Sequence, residues 1–135
     1  MENGNFTQEQ TDVLNAVLEM TRAFHKKDME RVLASYESSA VIVFAPEQPV
    51  SDLAGIRAGF AGFFTFDPKF DYSGHEVFVS GDLAVHVAPW TMTGTTPDGT
   101  PITQTGLSVA VLRRQPDGRW LMVIDNPFGA RLLDK

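Results

Sequence analysis

The sequence predicts an α+β fold in which three N-terminal helices pack on a strongly bent antiparallel sheet, giving a cone-shaped barrel. Three observations point there. Apolar residues recur at helical period through the first third of the chain. The second half changes to strand-like runs separated by strong turn signals. Two of those runs exceed the usual five or six residues by far, and strands that long must coil.

Thr7-Gln8-Glu9-Gln10 has capping-box spacing, and Val13, Leu14, Val17, Leu18, Thr21 and Phe24 follow as one helical stripe. Lys26 and Lys27 close this helix where cations suit its dipole. Asp28 reads as the cap of a short second helix carrying Met29, Val32, Leu33 and Tyr36. Ala40–Phe44 is short and β-branched, a strand, and Pro46 and Pro49 impose a loop after it. Ser51 caps a third helix reaching Phe64, in which Gly55, Gly59 and Gly62 allow close packing on the sheet or close approach of a ligand. Tyr72–Ser80, Leu83–Thr95, Pro101–Arg114 and Arg119–Asn126 form a four-stranded meander, with turns at Ser80-Gly81-Asp82, Pro97-Asp98-Gly99 and Pro116-Asp117-Gly118. Pro89, Gly94 and Gly106 are expected bulge or kink sites.

The chain of 135 residues implies one domain spanning 1–135, with enough length for a core without staples. It has no cysteine, which removes disulfides, thiolate metal sites and cysteine nucleophiles. A net charge of −6 with scattered cations argues against nucleic acid. Neither a membrane-length apolar run nor a signal peptide is seen, so a soluble cytoplasmic protein is expected. The sequence lacks a phosphate loop, a nucleophile elbow and a cluster at metal-ligand spacing, so no cofactor and no metal are expected. Leu107–Leu112 and Trp120–Ile124 are almost continuously apolar. Strands of that kind are covered on both faces. Three helices cover one face, and a second copy of the chain would cover the other as a two-fold homodimer.

Several segments, in order, resemble the nuclear-transport-factor-2-like superfamily, in particular its SnoaL-like and ketosteroid-isomerase-like branch. They are Lys27-Asp28-Met29, Tyr36-Glu37-Ser38-Ser39-Ala40-Val41, Pro49-Val50-Ser51 with Gly55-Ile56-Arg57, Val111-Leu112-Arg113-Arg114, and Asp117-Gly118-Arg119-Trp120. The resemblance covers almost the whole chain. It implies a cystatin-like α+β barrel, a pocket and often a dimer, but no particular reaction. It places the isomerase's catalytic tyrosine at Met20 and its aspartate at Phe44 or Ala45, where neither chemistry survives. Authentic ketosteroid isomerase activity is therefore not expected.

Asp125 is the leading catalytic candidate. SnoaL-like relatives often place a polar, pocket-facing residue at this distance from the tryptophan corresponding to Trp120. An apolar setting raises a carboxyl pKa into the range useful for proton transfer. The alternative is an end-of-strand Asp bonded to a local turn. His86 shares strand parity with Trp90; both line a cavity if that face is concave and belong to the dimer contact if it is convex. Tyr36 could aim its hydroxyl inward or be core with a polar tip. Alternation does not say which face of the third long strand is inside. The family spacing puts Leu107 and Val109 inward with Val123 and Asp125. Phe44, Phe64 and Phe66 are candidate aromatic walls for a flat apolar ligand. The function expected is a small-molecule pocket protein. As an enzyme it would move protons without a cofactor on an apolar carbonyl compound (isomerisation, cyclisation or hydration), with Asp125, His86 and Tyr36 as catalytic groups. Otherwise it is a non-catalytic ligand-binding or dimerisation module.

Overall fold

The computed structural model describes residues 5–133. Helix α1 (Gln8–His25) opens on a complete capping box: Gln10 N–H donates to Thr7 Oγ1 at 3.2 Å, and Thr7 N–H donates to Gln10 Oε1 at 2.7 Å. It ends with Lys27 in the left-handed region, φ 58°. Lys27 N–H reaches the Phe24 carbonyl and Asp28 N–H the Ala23 carbonyl, a Schellman closure that satisfies two orphan carbonyls. Helix α2 (Met29–Leu33) is capped by Asp28. Tyr36 does not belong to it, contrary to expectation. The chain joins the sheet at Ser35, whose carbonyl accepts from Met122 N–H, and Tyr36 opens β1 (Tyr36–Ala45). A three-residue β2 (Gln48–Val50) follows, where Pro49 suggested only loop. It is an edge strand, where a missing donor is tolerated. Helix α3 (Leu53–Phe64) is capped by Asp52 rather than Ser51, through Gly55 N–H at 2.8 Å.

The remaining strands are β3 (Lys69–Tyr72), β4 (Glu76–Ser80), β5 (Leu83–Thr95), β6 (Pro101–Arg114) and β7 (Trp120–Asn126). The run expected as one strand over Tyr72–Ser80 breaks at Ser73-Gly74 into two strands on successive stretches of β5. Pro89 lies between those stretches, so its missing N–H interrupts neither pairing. The sheet runs β2-β1-β7-β6-β5-β3, with β4 also on β5. It is mixed: β1 pairs with β7 in parallel, while the other pairings are antiparallel.

The β5–β6 ladder is unbroken from Leu83–Arg113 to Thr95–Pro101, so Pro89, Gly94 and Gly106 do not mark bulges. Gly94 and Gly106 serve close approach. A Cβ on Gly94 would stand 2.7 Å from the Phe66 carbonyl oxygen, and one on Gly106 2.5 Å from the Trp90 ring. A bulge occurs instead on β7. Ile124 pairs with Val111 and Met122 with Leu112, leaving Val123 as an extra residue.

The curled sheet encloses a core with α1 and α3. Leu14, Val17 and Phe24 from α1 meet Ala84, Ala110, Leu112 and Met122 from the sheet. Gly59 of α3 brings its backbone against the Phe44 ring, the close helix-on-sheet packing the glycine spacing suggested. The sheet's outer face carries Phe78, Leu83 and Ile124, which are 59%, 45% and 41% exposed. No helix of the described residues is long and apolar enough to cross a membrane.

Candidate functional site

The bulge at Val123 decides where Asp125 points. Met122 lies on the inner face beside Leu112. In a regular strand Asp125, three residues on, would face outward. The extra residue reverses the alternation, so Asp125 sits opposite inward-facing Ala110 and lines a cavity of about 90 Å³. The cavity lies between α1, α3 and the concave sheet. Its walls include Met20 and Phe24 of α1, Phe60 and Phe63 of α3, and Ile42, Phe44, Phe70 and Trp90 of the sheet.

Few polar groups interrupt this apolar lining. Tyr36, brought alongside by the parallel β1–β7 pairing, donates its hydroxyl to Asp125 Oδ2 at 2.5 Å. Burial pushes the Asp125 carboxyl above the ordinary Asp value, and the Tyr36 bond opposes that rise in part. The Tyr36 phenol is pushed well above its usual range, first by burial and then by the adjacent carboxylate. Among the described residues no donor reaches Asp125 Oδ1.

Tyr72 forms a second polar point. Thr21 spends its one hydroxyl proton on the Val17 carbonyl at 3.0 Å, so it accepts from Tyr72 at 2.9 Å. The proton of each tyrosine is thus committed within the protein. Burial and the Asp125 charge push the Tyr72 phenol up to about 12. Ser108, opposite Ala88, completes the polar set. With both phenolic protons taken, the site presents mainly acceptors, and it suits a ligand that donates a proton. Among the described residues, no group of three or more His, Asp or Glu could hold a metal ion.

Of the nominated residues, the structure brings Asp125, Tyr36, Phe44 and Trp90 to the cavity. Phe64 does not line it and packs against Phe24 and Phe60 instead. Leu107 and Val109 face outward, since Gly106, Ser108 and Ala110 take the inner positions opposite Trp90, Ala88 and His86. Val123 is the bulge residue, off the cavity wall. His86 is on the concave side, 1% exposed, yet lies outside the cavity lining. Its Nε2 meets His75 Nδ1 at 2.9 Å, and its buried Nδ1 has no partner. Desolvation, then the neighbouring His75, lowers the His86 pKa to about 4, so the pair is neutral near pH 7. Thr21, Phe70 and Tyr72 were not nominated. The position of Thr21 in the α1 stripe, a hydroxyl among apolar residues, was the available signal.

The SnoaL-like domain profile matches residues 17–122, and the chain belongs to that family. No curated protein matches the chain. Similar solved structures include a ketosteroid isomerase-like protein from Erwinia carotovora atroseptica (20% identity, TM-score 0.76, covering 90% of this chain and 95% of that one). A nuclear transport factor 2-like superfamily protein from Salmonella enterica serovar Typhimurium aligns at TM-score 0.78 with 17% identity, over 87% and 88% of the two chains. The association domain of C. elegans CaMKII is similar at TM-score 0.68 with 17% identity, over 86% and 92%. These likenesses show the fold. Met20, and Phe44 of the Phe44/Ala45 pair to which the resemblance assigns the isomerase's aspartate, line the cavity with apolar side chains; Ala45 does not line it.

Proposed function

We propose that the cavity is a cofactor-free proton-transfer site for a small apolar carbonyl compound, with Asp125 as the acid or base. One observation carries this reading: a carboxyl group in an apolar cavity, anchored through Oδ2 by Tyr36 and open at Oδ1. Anchoring fixes the direction of the free oxygen, and burial moves the pKa towards neutrality, where one group can take and return a proton. The apolar walls exclude water and leave binding to shape. Tyr36 acts as a positioning residue through Asp125. The neutral His75–His86 pair stays outside the reaction. The test is exchange of the α-protons of a ketone panel in D2O, followed by proton NMR. Wild type should exceed the buffer blank, and Asp125→Asn should lose roughly 10²–10⁴-fold of the excess. Exchange that persists in Asp125→Asn would remove Asp125 from the reaction.

A second reading is association. The outer face of β4–β7 presents Phe78, Val85, Val87, Val109, Val111 and Ile124, with the charges of Glu76 and Arg113 at its margins. The same fold serves as the association domain of C. elegans CaMKII. A second copy of this chain is the occupant that a self-complementary sheet face fits. Light scattering giving the mass of one chain at micromolar concentration would exclude it.

A further inference from the structure

The size of the cavity is set by two aromatic walls that cannot retreat. Trp90 lies flat across β6, and a Cβ on Gly106 would stand 2.5 Å from its Cζ2 and 3.0 Å from the Pro127 carbonyl oxygen. The indole is therefore already against the Gly106 backbone. Its N–H is held by the Pro127 carbonyl at 3.0 Å, and Phe70 meets it edge-on with ring centroids 5.2 Å apart. On another wall, a Cβ on Gly59 would stand 2.6 Å from the Phe44 ring, so that ring is pressed on the α3 backbone. Phe60 meets Phe44 at right angles, with centroids 5.1 Å apart. Each ring is seated on a glycine, and moving either one outward would require the backbone to move.

The space left is about 90 Å³. An enclosed apolar cavity of about 150 Å³ takes benzene whole. This cavity is smaller but open at its mouth, so a single ring enters with its edge and substituents directed outward. A second ring fused on the inner side would meet the seated Trp90 and Phe44 rings.

We infer that the cavity is a one-ring site, taking a single planar ring that donates a proton to Asp125 Oδ1 (a phenol, a cyclic enol or the enolisable form of a cyclic ketone), with Gly106 and Gly59 setting the size limit through Trp90 and Phe44. This deepens the proton-transfer reading and rests on it for the orientation of the ligand. The committed protons of Tyr36 and Tyr72 explain why the ligand is the donor. The glycines act through the rings they seat.

The probes are phenol, 2-naphthol and 9-phenanthrol, titrated into the full chain and followed by the methyl resonance of cavity-lining Met20, which every variant retains. Phenol should bind saturably, 2-naphthol at least tenfold more weakly, and 9-phenanthrol not at all, against the order that hydrophobicity alone gives. Gly106→Ala should lift the indole and weaken phenol at least tenfold while its circular dichroism stays native. If that variant does not fold, Trp90→Leu supplies the opposite test: the floor opens, and 2-naphthol should overtake phenol. Saturable 9-phenanthrol binding as tight as phenol, absence of phenol binding, or an unchanged ligand order in Trp90→Leu overturns the inference. Proton exchange separates the two proposals. One-ring binding without exchange sinks the catalytic reading alone, and exchange on fused-ring ketones sinks the size limit alone.

Discussion

Tyr36 donates its hydroxyl to Asp125 across 2.5 Å, although 89 residues of chain separate them. The bond stabilises the charged carboxylate against the burial that disfavours it. In Tyr36→Phe the opposing influence is gone, and the Asp125 pKa should rise above its wild-type value. Carbon-detected NMR titration of the two proteins reads this directly. An unchanged Asp125 titration would mean that the hydroxyl does not control the carboxyl.

The same group gives a stability signature. A carboxyl whose folded pKa is raised contributes stability below its unfolded value and loses it as pH rises through the folded pKa. Asp125→Asn keeps the shape and cannot ionise. Its thermal midpoint should match or exceed that of wild type, with the gap widening as pH rises through the Asp125 titration. Parallel midpoint curves for the two proteins would contradict the shift.

His86 makes the opposite prediction. Its folded pKa of about 4 lies below the ordinary histidine value of 6.5, so the stability it contributes is complete above 6.5 and is lost as pH falls towards 4. At about 1.4 kcal/mol per unit, the loss is roughly 3 kcal/mol. Denaturant melts from pH 7 to 4 should show this slope in wild type and a shallower one in His86→Leu.

Lys27 occupies the left-handed position that ends α1, at φ 58°. Such a conformation costs a side-chain-bearing residue about 1 kcal/mol or more, and glycine little. Its ion pair with Asp67, at 3.4 Å between exposed groups, offsets little of that. Lys27→Gly should therefore raise stability by about 1 kcal/mol, measured as a shifted denaturation midpoint at unchanged slope.

On the outer face, Phe78 is 59% exposed and contributes little to the core. Phe78→Asp should leave the melting of the dilute protein within about 0.5 kcal/mol of wild type. It should also abolish any concentration dependence of the midpoint, the sign of self-association. A concentration dependence retained by the variant would place the contact elsewhere.

Local signals made much of the fold legible. The Thr7 capping box, the α1 stripe and the turns that separate β4 to β7 are short-range features, and the elements stand where those features put them. Pairing partners were less legible. β1 lies parallel to β7 because closure of the sheet brings distant segments together, and no local pattern records that. The family spacing puts Leu107 and Val109 inward with Val123 and Asp125. Val123 and Asp125 share a face only under strict alternation, and the bulge at Val123 breaks it. His75 and His86 meet through a β3–β4 turn hidden inside what read as one strand. Tyr72 reaches the cavity from that same misread segment.

The surplus residue at Val123 has a wider consequence. Iron it flat by sliding the end of the final strand one place along its partner, with no letter of the chain altered, and the acid turns to the outside. Such a slip would yield a look-alike shell with a hollow stripped of its carboxylate and a negative charge planted on its oily exterior. A shift of register alone would thus convert the chemistry without redrawing the outline, and surveys of kindred sequences that count only length and hydrophobicity would not notice the difference.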